Sequence, residues 1–243
     1  MILVNDELVE GRKIVNRAIV KTIEVDDGEI IDCYDIYKQP SFNHPLFSNH
    51  TIQMTPSSYP KQMKSDNFGT LQLTQTWHKY GSCPEKTIPI RRKGKSYDLV
   101  SLRKHYDVVN EVHEYAYVRV HGKFLGAQAK INLWKPVTEI LEEISVSQIW
   151  IVAGENKNKN TIEAGWEVYE DLYGDAHTRF FIFWTTDGYQ DTGCYNLMCE
   201  GFVHTSSDIA LGCAFSEVST FNGSLKDAAF NIHKDQNTGN WWV

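Results

Sequence analysis

From about residue 113 onward the chain is written as short runs of β-branched and aromatic residues, cut apart by turn-forming clusters. This pattern constrains the fold more than any other feature. In GAQAKINLW, Ala127, Ala129, Ile131 and Leu133 alternate with Gln128, Lys130 and Asn132, which is the period of a half-buried strand. Ser147–Ala153, Gly165–Tyr169, Arg179–Trp184, Ile209–Phe215 and Ala228–His233 read as further strands, separated by GENKNKN, YGDAH, TDGYQDTG and DQNTG. Many short strands without a long amphipathic helix predict an all-β fold, an antiparallel β-sandwich. Ahead of it, residues 1–95 are rich in prolyl and turn chemistry, as in KQPSFNHPLF and MTPSSYPK, and helical periodicity is confined to Asp6–Ile23. Residues 96–112 are charged and mixed, and read as a linker or short helix.

The bulk numbers exclude several function classes. Apolar residues make up 42% of the 243, enough for a sizeable core rather than a disordered chain. The formal net charge is −7 and no basic patch is interleaved with aromatics, which argues against nucleic acid as a partner. No apolar run approaches the roughly 18 residues of a membrane-spanning helix. The acids that follow MILVN at once are unlike a secretory signal, yet five cysteines and two glycosylation sequons, at Asn49 and Asn222, lean towards an oxidising compartment.

The chemistry-bearing motifs are few. There is no G-x-S-x-G elbow, no His-Glu-x-x-His, no phosphate loop, and no cysteine spacing suited to zinc, so no metal or cofactor is expected. Cys194 and Cys199 are near enough in sequence to close a small disulfide loop if their Cα atoms come within about 7 Å. Cys213 reads as a buried strand thiol. Asp187, in an Asp-Gly turn, reads as a hairpin residue. Glu163 stands apart, entering a strand beside Ala164, Gly165 and Trp166. Small neighbours would admit a substrate backbone and the aromatic could wall a pocket. By pattern alone, a structural or solvated strand carboxylate is the preferred reading.

TIEAGWEVYEDLYGD, WTTDGYQDTGCYNLMCEGFV and DQNTGNWW resemble the catalytic domain of the neprosin family of plant glutamic endopeptidases. Upstream, DGEIIDCYDIYKQPSFNHPLFSNHTIQMTPSSYP and WHKYGSCPEKTIPIRR resemble its activation peptide. The likeness covers roughly residues 17–243: an activation region over 17–95, the linker, and a catalytic sandwich over 113–243. It implies a secreted, acid-active enzyme made as a zymogen, with an inhibitory pro-segment and cleavage after proline in peptide or protein substrates. Glu163 falls on one of the family's two catalytic glutamates. Two adjacent carboxyls push their pKa values apart, giving one acid and one base. Cys33 and Cys83 both fall in the activation region that the resemblance implies, where a disulfide tying its ends together is expected, two free buried thiols being the alternative. Trp166, Trp184 and Tyr189 are candidates for an aromatic wall or, equally, for core. Gln148 is a candidate substrate contact or packing residue, its alternative role as an amide partner to Glu163 being the less favoured. The family's second glutamate lies in a W-G-G-E-like stretch beyond N-W-W, and no such stretch follows Trp242. The expectation is a chain shortened at both ends and catalytically incomplete. The alternative is a non-catalytic β-sandwich that binds carbohydrate or cell wall.

Overall fold

The computed structural model describes residues 18–43, 45–47, 50–61, 63, 74–92, 113–199 and 201–243. The expected linker (96–112), most of the expected amino-terminal helix and Asn49 lie outside the described residues. The fold is all-β, with strands in three antiparallel sheets.

The first sheet belongs to the amino-terminal region. Its strands β1 (Ile19–Glu24), β2 (Ile30–Asp35) and β3 (Thr87–Arg91) stand in the order β1-β2-β3. Here the sequence reading is corrected: Ile19–Ile23, the end of the expected helix, is strand. Its apolar residues also suit pairing with β2, where Ile23 faces Ile31 across a turn closed by Gly28 at φ 84°. Cys33 and Cys83 are bridged with Cα atoms 5.4 Å apart, tying β2 to the segment before β3.

The other two sheets form the sandwich. One holds β4 (Gly126–Asn132), β9 (Asp227–Lys234) and β10 (Trp241–Trp242) in the order β10-β9-β4. The second holds β5 (Ile144–Ala153), β6 (Asn160–Tyr169), β7 (Arg179–Thr185) and β8 (Cys194–Tyr195) in the order β5-β6-β7-β8. A one-turn helix, α1 (Glu170–Tyr173), follows β6 and ends on left-handed Gly174. Ile149, Ala164, Trp166 and Ile182 of the four-stranded sheet pack against Ala228, Phe230 and Ile232 of β9 in one buried cluster. Residues 209–215, expected as a strand, instead make single bridges: Leu211 to Ile90, Ala214 to Arg179 and Phe215 to Gln75.

That last segment is where the amino-terminal region docks. Two buried glutamines act there as stand-ins for backbone. Gln39 donates to the carbonyl of His204 at 3.0 Å and accepts its N–H at 2.8 Å. Gln75 donates to the Ala210 carbonyl at 2.7 Å and accepts its N–H at 2.8 Å. A third contact lies at the β9 end, where buried Asp235 accepts from Gln53, from the Ser57 backbone and from the Ser57 and Ser58 hydroxyls at 2.7–3.0 Å. Burial would raise the Asp235 carboxyl, but these bonds outweigh it and hold the group well below the usual range.

Candidate active site

The register of the four-stranded sheet decides which side chains meet. Trp150, Glu163 and Phe183 lie directly across from one another on β5, β6 and β7, as do Gln148, Gly165 and Phe181. Val146, Glu167 and Arg179 form the next row. Cross-strand partners share a face, so all of these stand on the side of the sheet turned away from the sandwich core.

Trp166 and Trp184 stand on the opposite face, paired with Phe180 and Ile162. Trp166 is buried in the sandwich cluster, with its indole N–H donating to the Asn132 carbonyl at 2.8 Å. The fold does not bring either tryptophan to Glu163. A cavity of about 540 Å³, lined by Phe180, Ile182, Phe202, Phe230, Trp241 and Trp242 among others, also does not include Glu163.

Glu163 is 7% exposed. Its Oε1 accepts from the Thr161 hydroxyl and from the Tyr189 hydroxyl, each at 2.8 Å. Gln148, on the neighbouring strand across from Gly165, stands close enough for its side chain to favour the ionised form of the same carboxyl. Burial pushes the Glu163 carboxyl above its ordinary value, while the Tyr189 and Thr161 bonds, Gln148 and the Lys159 charge pull the other way without cancelling it. Gln148 reaches this position because Gly165 stands between Glu163 and Glu167. A Cβ on Gly165 would sit 2.1 Å from the Ser147 carbonyl oxygen and 2.9 Å from the Gln148 Cβ. The missing side chain expected to admit a substrate is thus used by β5 itself.

Tyr189 is aimed by the loop between β7 and β8. Asp187 gathers it, accepting from the backbone N–H groups of Gln190, Asp191 and Thr192 and from the Thr192 hydroxyl at 2.8–3.1 Å. Burial opposes ionisation of Asp187, but these bonds hold it down at about 2. Tyr189 then adopts φ 69°, stacks on Phe183 at 6.0 Å and lies under the Lys159 ammonium at 5.8 Å. Cys194–Cys199, with Cα atoms 6.1 Å apart, closes the next loop, as the sequence predicts. Tyr189→Phe is expected to raise the titration midpoint of Glu163 further, because a bond favouring the charged form is lost. Carboxyl-carbon NMR across pH 3–8 checks this, and an unmoved midpoint would show that the hydroxyl does not act on Glu163.

Further along β6, Glu167 is fully buried and accepts from the Tyr173 hydroxyl at 2.6 Å, which in turn accepts from Asn196 at 3.0 Å. Burial pushes Glu167 up to about 8. Arg179, across from Glu167, holds Glu29 of the amino-terminal region at 2.6 Å and Asp175 at 2.5 Å. The sequence reading passed over Thr161, Glu167, Arg179 and Trp150. The alternation in TIEAGWE would have placed Thr161, Glu163, Gly165 and Glu167 on one face, but nothing local marks Trp150 or Arg179.

Asn222 lies exposed at the tip of a turn, at φ 57°. Cys213 is a buried free thiol packed in the cluster that contains Cys33. Among the described residues no group of three or more His, Cys, Asp or Glu is placed to hold a metal ion, and no helix is long and apolar enough to cross a membrane.

Among protein families, residues 141–243 match the model described as Neprosin, and residues 22–119 match the model described as Neprosin activation peptide. Glu163 and all its hydrogen-bonding partners fall in the first range. Glu29, Gln39, Gln75 and the Cys33–Cys83 bridge fall in the second.

Proposed function

This chain belongs to the neprosin family, with an activation-peptide region ahead of a neprosin domain, and from that premise we propose that it is the zymogen of a glutamic endopeptidase in which Glu163 is the working carboxylate. The observation that carries this reading is the environment of Glu163. A buried carboxylate kept for structure is ordinarily matched with a cation, as Glu29 is with Arg91 and Arg179. Glu163 is instead held by the Thr161 and Tyr189 hydroxyls, and unlike Glu167, the other buried acid on this face without an ion pair, it keeps some exposure, 7% against 0%, directly across from exposed Trp150. Burial raises the Glu163 carboxyl above the ordinary value, the direction that favours a group taking and returning a proton, as a general base or acid must.

Peptide or protein is the substrate class, and cleavage after proline is the finer reading. Trp150, 39% exposed and directly across from Glu163, offers a flat apolar surface to a pyrrolidine ring. The amino-terminal sheet is the inhibitory segment in this reading, and the two disulfides suit a secreted protein. Among the described residues, the hydrogen bonds made to Glu163 come from no second carboxyl. Hydrolysis is therefore expected to be slower than at a two-carboxylate site, by about 10²–10⁴-fold.

The test is hydrolysis of a proline-containing peptide from about pH 2 to 6 by the chain and by Glu163→Gln, each assayed after the amino-terminal region has been cleaved away by a protease that is then inhibited. The substitution is expected to remove at least about 10²-fold of the rate. Equal rates for the two proteins would end this reading.

A further inference from the structure

The turn between β9 and β10 holds a short piece of the amino-terminal region as a receptor holds a peptide. Residues 51–60 belong to no helix or strand, so what fixes them is their side chains on this turn. Asp235, directly after β9, is fully buried and collects the donors. It accepts from the Gln53 amide at 2.8 Å, the Ser57 N–H at 2.7 Å, and the Ser57 and Ser58 hydroxyls at 2.9 and 2.7 Å. The turn answers with donors of its own. The Gln236 N–H reaches the Ser58 hydroxyl at 2.8 Å, the Asn237 amide the Ser57 hydroxyl at 3.2 Å, and the Asn240 amide Gln53 Oε1 at 2.8 Å. Tyr59 stacks on His233 of β9, with ring centroids 5.0 Å apart. Where buried acids serve structure in this fold, arginine meets them, as it does Glu29 and Asp32. Asp235 is met by the neutral donors of one linear segment.

We propose that the turn from His233 to Asn240 is a peptide-binding site for another protein chain, filled in the intact molecule by Gln53–Tyr59. Its ligand is an extended peptide with two adjacent hydroxyl residues followed by an aromatic, and an amide side chain four residues ahead of the first hydroxyl. Each part of that pattern has a reader. The Asp235 carboxylate takes the N–H and both hydroxyl protons, bonds strengthened by its charge. The Gln236 and Asn237 donors require an oxygen on each hydroxyl residue, so alanine leaves them unpaired and an acidic residue meets the carboxylate. His233 offers a flat face to the aromatic ring. Ligand and site fall in different family matches, 22–119 and 141–243. Loss of the activation region therefore leaves Asp235 with the Asn237 N–H, at 3.0 Å, and with room for the same chemistry from elsewhere. Binding there needs nothing from Glu163, since β9 and β10 belong to the other sheet.

The experiment measures binding of a fluorescent peptide, IQMTPSSYP, to the full chain by anisotropy. Every protein carries Glu163→Gln, so that the peptide stays whole. The site is vacated in a variant with Ser57→Ala, Ser58→Ala and Tyr59→Ala, whose fold is checked by melting temperature. The vacated chain is expected to bind the peptide at least about 10-fold more tightly than the parent, whose own segment competes at an effective concentration on the order of mM. Adding Asp235→Asn to the vacated chain is expected to weaken binding by at least about 10-fold, as is alanine at both serines of the peptide. Equal binding to parent and vacated chains, binding indifferent to Asp235→Asn, or no saturable binding to the vacated chain each overturns the proposal. If the vacated chain does not fold, hydrogen exchange of the Ser57 amide in the parent is read with unlabelled peptide at about 10 mM, above that effective concentration. Exchange is expected to quicken with this peptide and not with its double-alanine form, and an unchanged rate overturns the proposal.

Discussion

Glu167→Gln is expected to gain stability over the parent chain steadily as pH rises, by up to roughly 4–5 kcal/mol between about pH 4.5 and pH 8. The sign follows from where the proton sits. Glu167 is fully buried, bonded to the Tyr173 hydroxyl through one oxygen while its other oxygen has no partner, and its carboxyl is pushed up to about 8 from an ordinary 4.5. Between those values the folded chain keeps the proton and the unfolded chain has lost it. Stability contributed by the neutral form is complete at and below about pH 4.5 and drains away at about 1.4 kcal/mol per pH unit as pH rises towards 8. Glutamine has nearly the same shape and no proton to lose, so the slope vanishes. Urea midpoints for the two proteins at half-unit pH steps check this. Parallel profiles would mean that Glu167 is not buried as a neutral acid.

The parent's own pH profile understates the Glu167 effect because a histidine opposes it. Burial pushes His204 down to about 4 from 6.5, and its Nδ1 has no partner. For this group the unfolded chain holds the extra proton between about pH 6.5 and 4, so stability is lost as pH falls through that window. The two slopes cancel over roughly pH 4.5–6.5. With Glu167 replaced, the His204 slope stands uncovered, and its location gives it a local meaning. His204 is clamped through its backbone by Gln39 of the activation region. The buried group that resists acid therefore lies at the contact between activation region and sandwich, while the one that favours acid lies on the same strand and face as Glu163.

How much of this was legible in the sequence depended on whether the physics was local. The alternating and β-branched runs fixed β4, β5, β6, β7 and β9, because side-chain direction in a strand is set every second residue. Ile209–Phe215 misled because its apolar residues are buried individually, against Ile90, Gln75 and Arg179, rather than as one strand face. Ile19–Ile23 read as helix because its strand character depends on β2, a partner that periodicity does not reveal. The candidate site divides in the same way. Glu163 was visible by motif and Tyr189 as an aromatic near it. That Gln148 reaches Glu163 depends on the β5–β6 register, which sets Gln148 opposite Gly165, and a shift of one residue would turn the amide into the core. Trp166 and Trp184 stand on the opposite face for the same reason, since each lies an odd number of residues from Glu163 on its own strand or from Phe183, which Glu163 faces.

Arg179→Met is expected to destabilise the chain by about 3–5 kcal/mol, the usual result of removing one partner from a buried ion pair. The guanidinium is 1% exposed, and every direction around it is used. It donates to Glu29 at 2.6 Å, to the Gly212 carbonyl at 2.8 Å and to Asp175 at 2.5 Å, and its charge lies 5.0 Å over the Tyr173 ring. Methionine fills most of the volume and supplies none of these bonds. Glu29, whose side chain is 4% exposed, would keep only Arg91, which already donates to the same oxygen at 2.6 Å. Because Glu29 belongs to the activation region, the loss is expected to appear in two ways. Urea unfolding should shift by the amount above, and proteolytic removal of the amino-terminal sheet should quicken under conditions where the sandwich stays folded. Adding Glu29→Gln should recover part of the loss, because it removes the stranded charge, so the double variant should be less destabilised than the sum of the singles. Strict additivity, or a single-variant loss under about 1 kcal/mol, would show that the Glu29–Arg179 pair is not what joins the two regions.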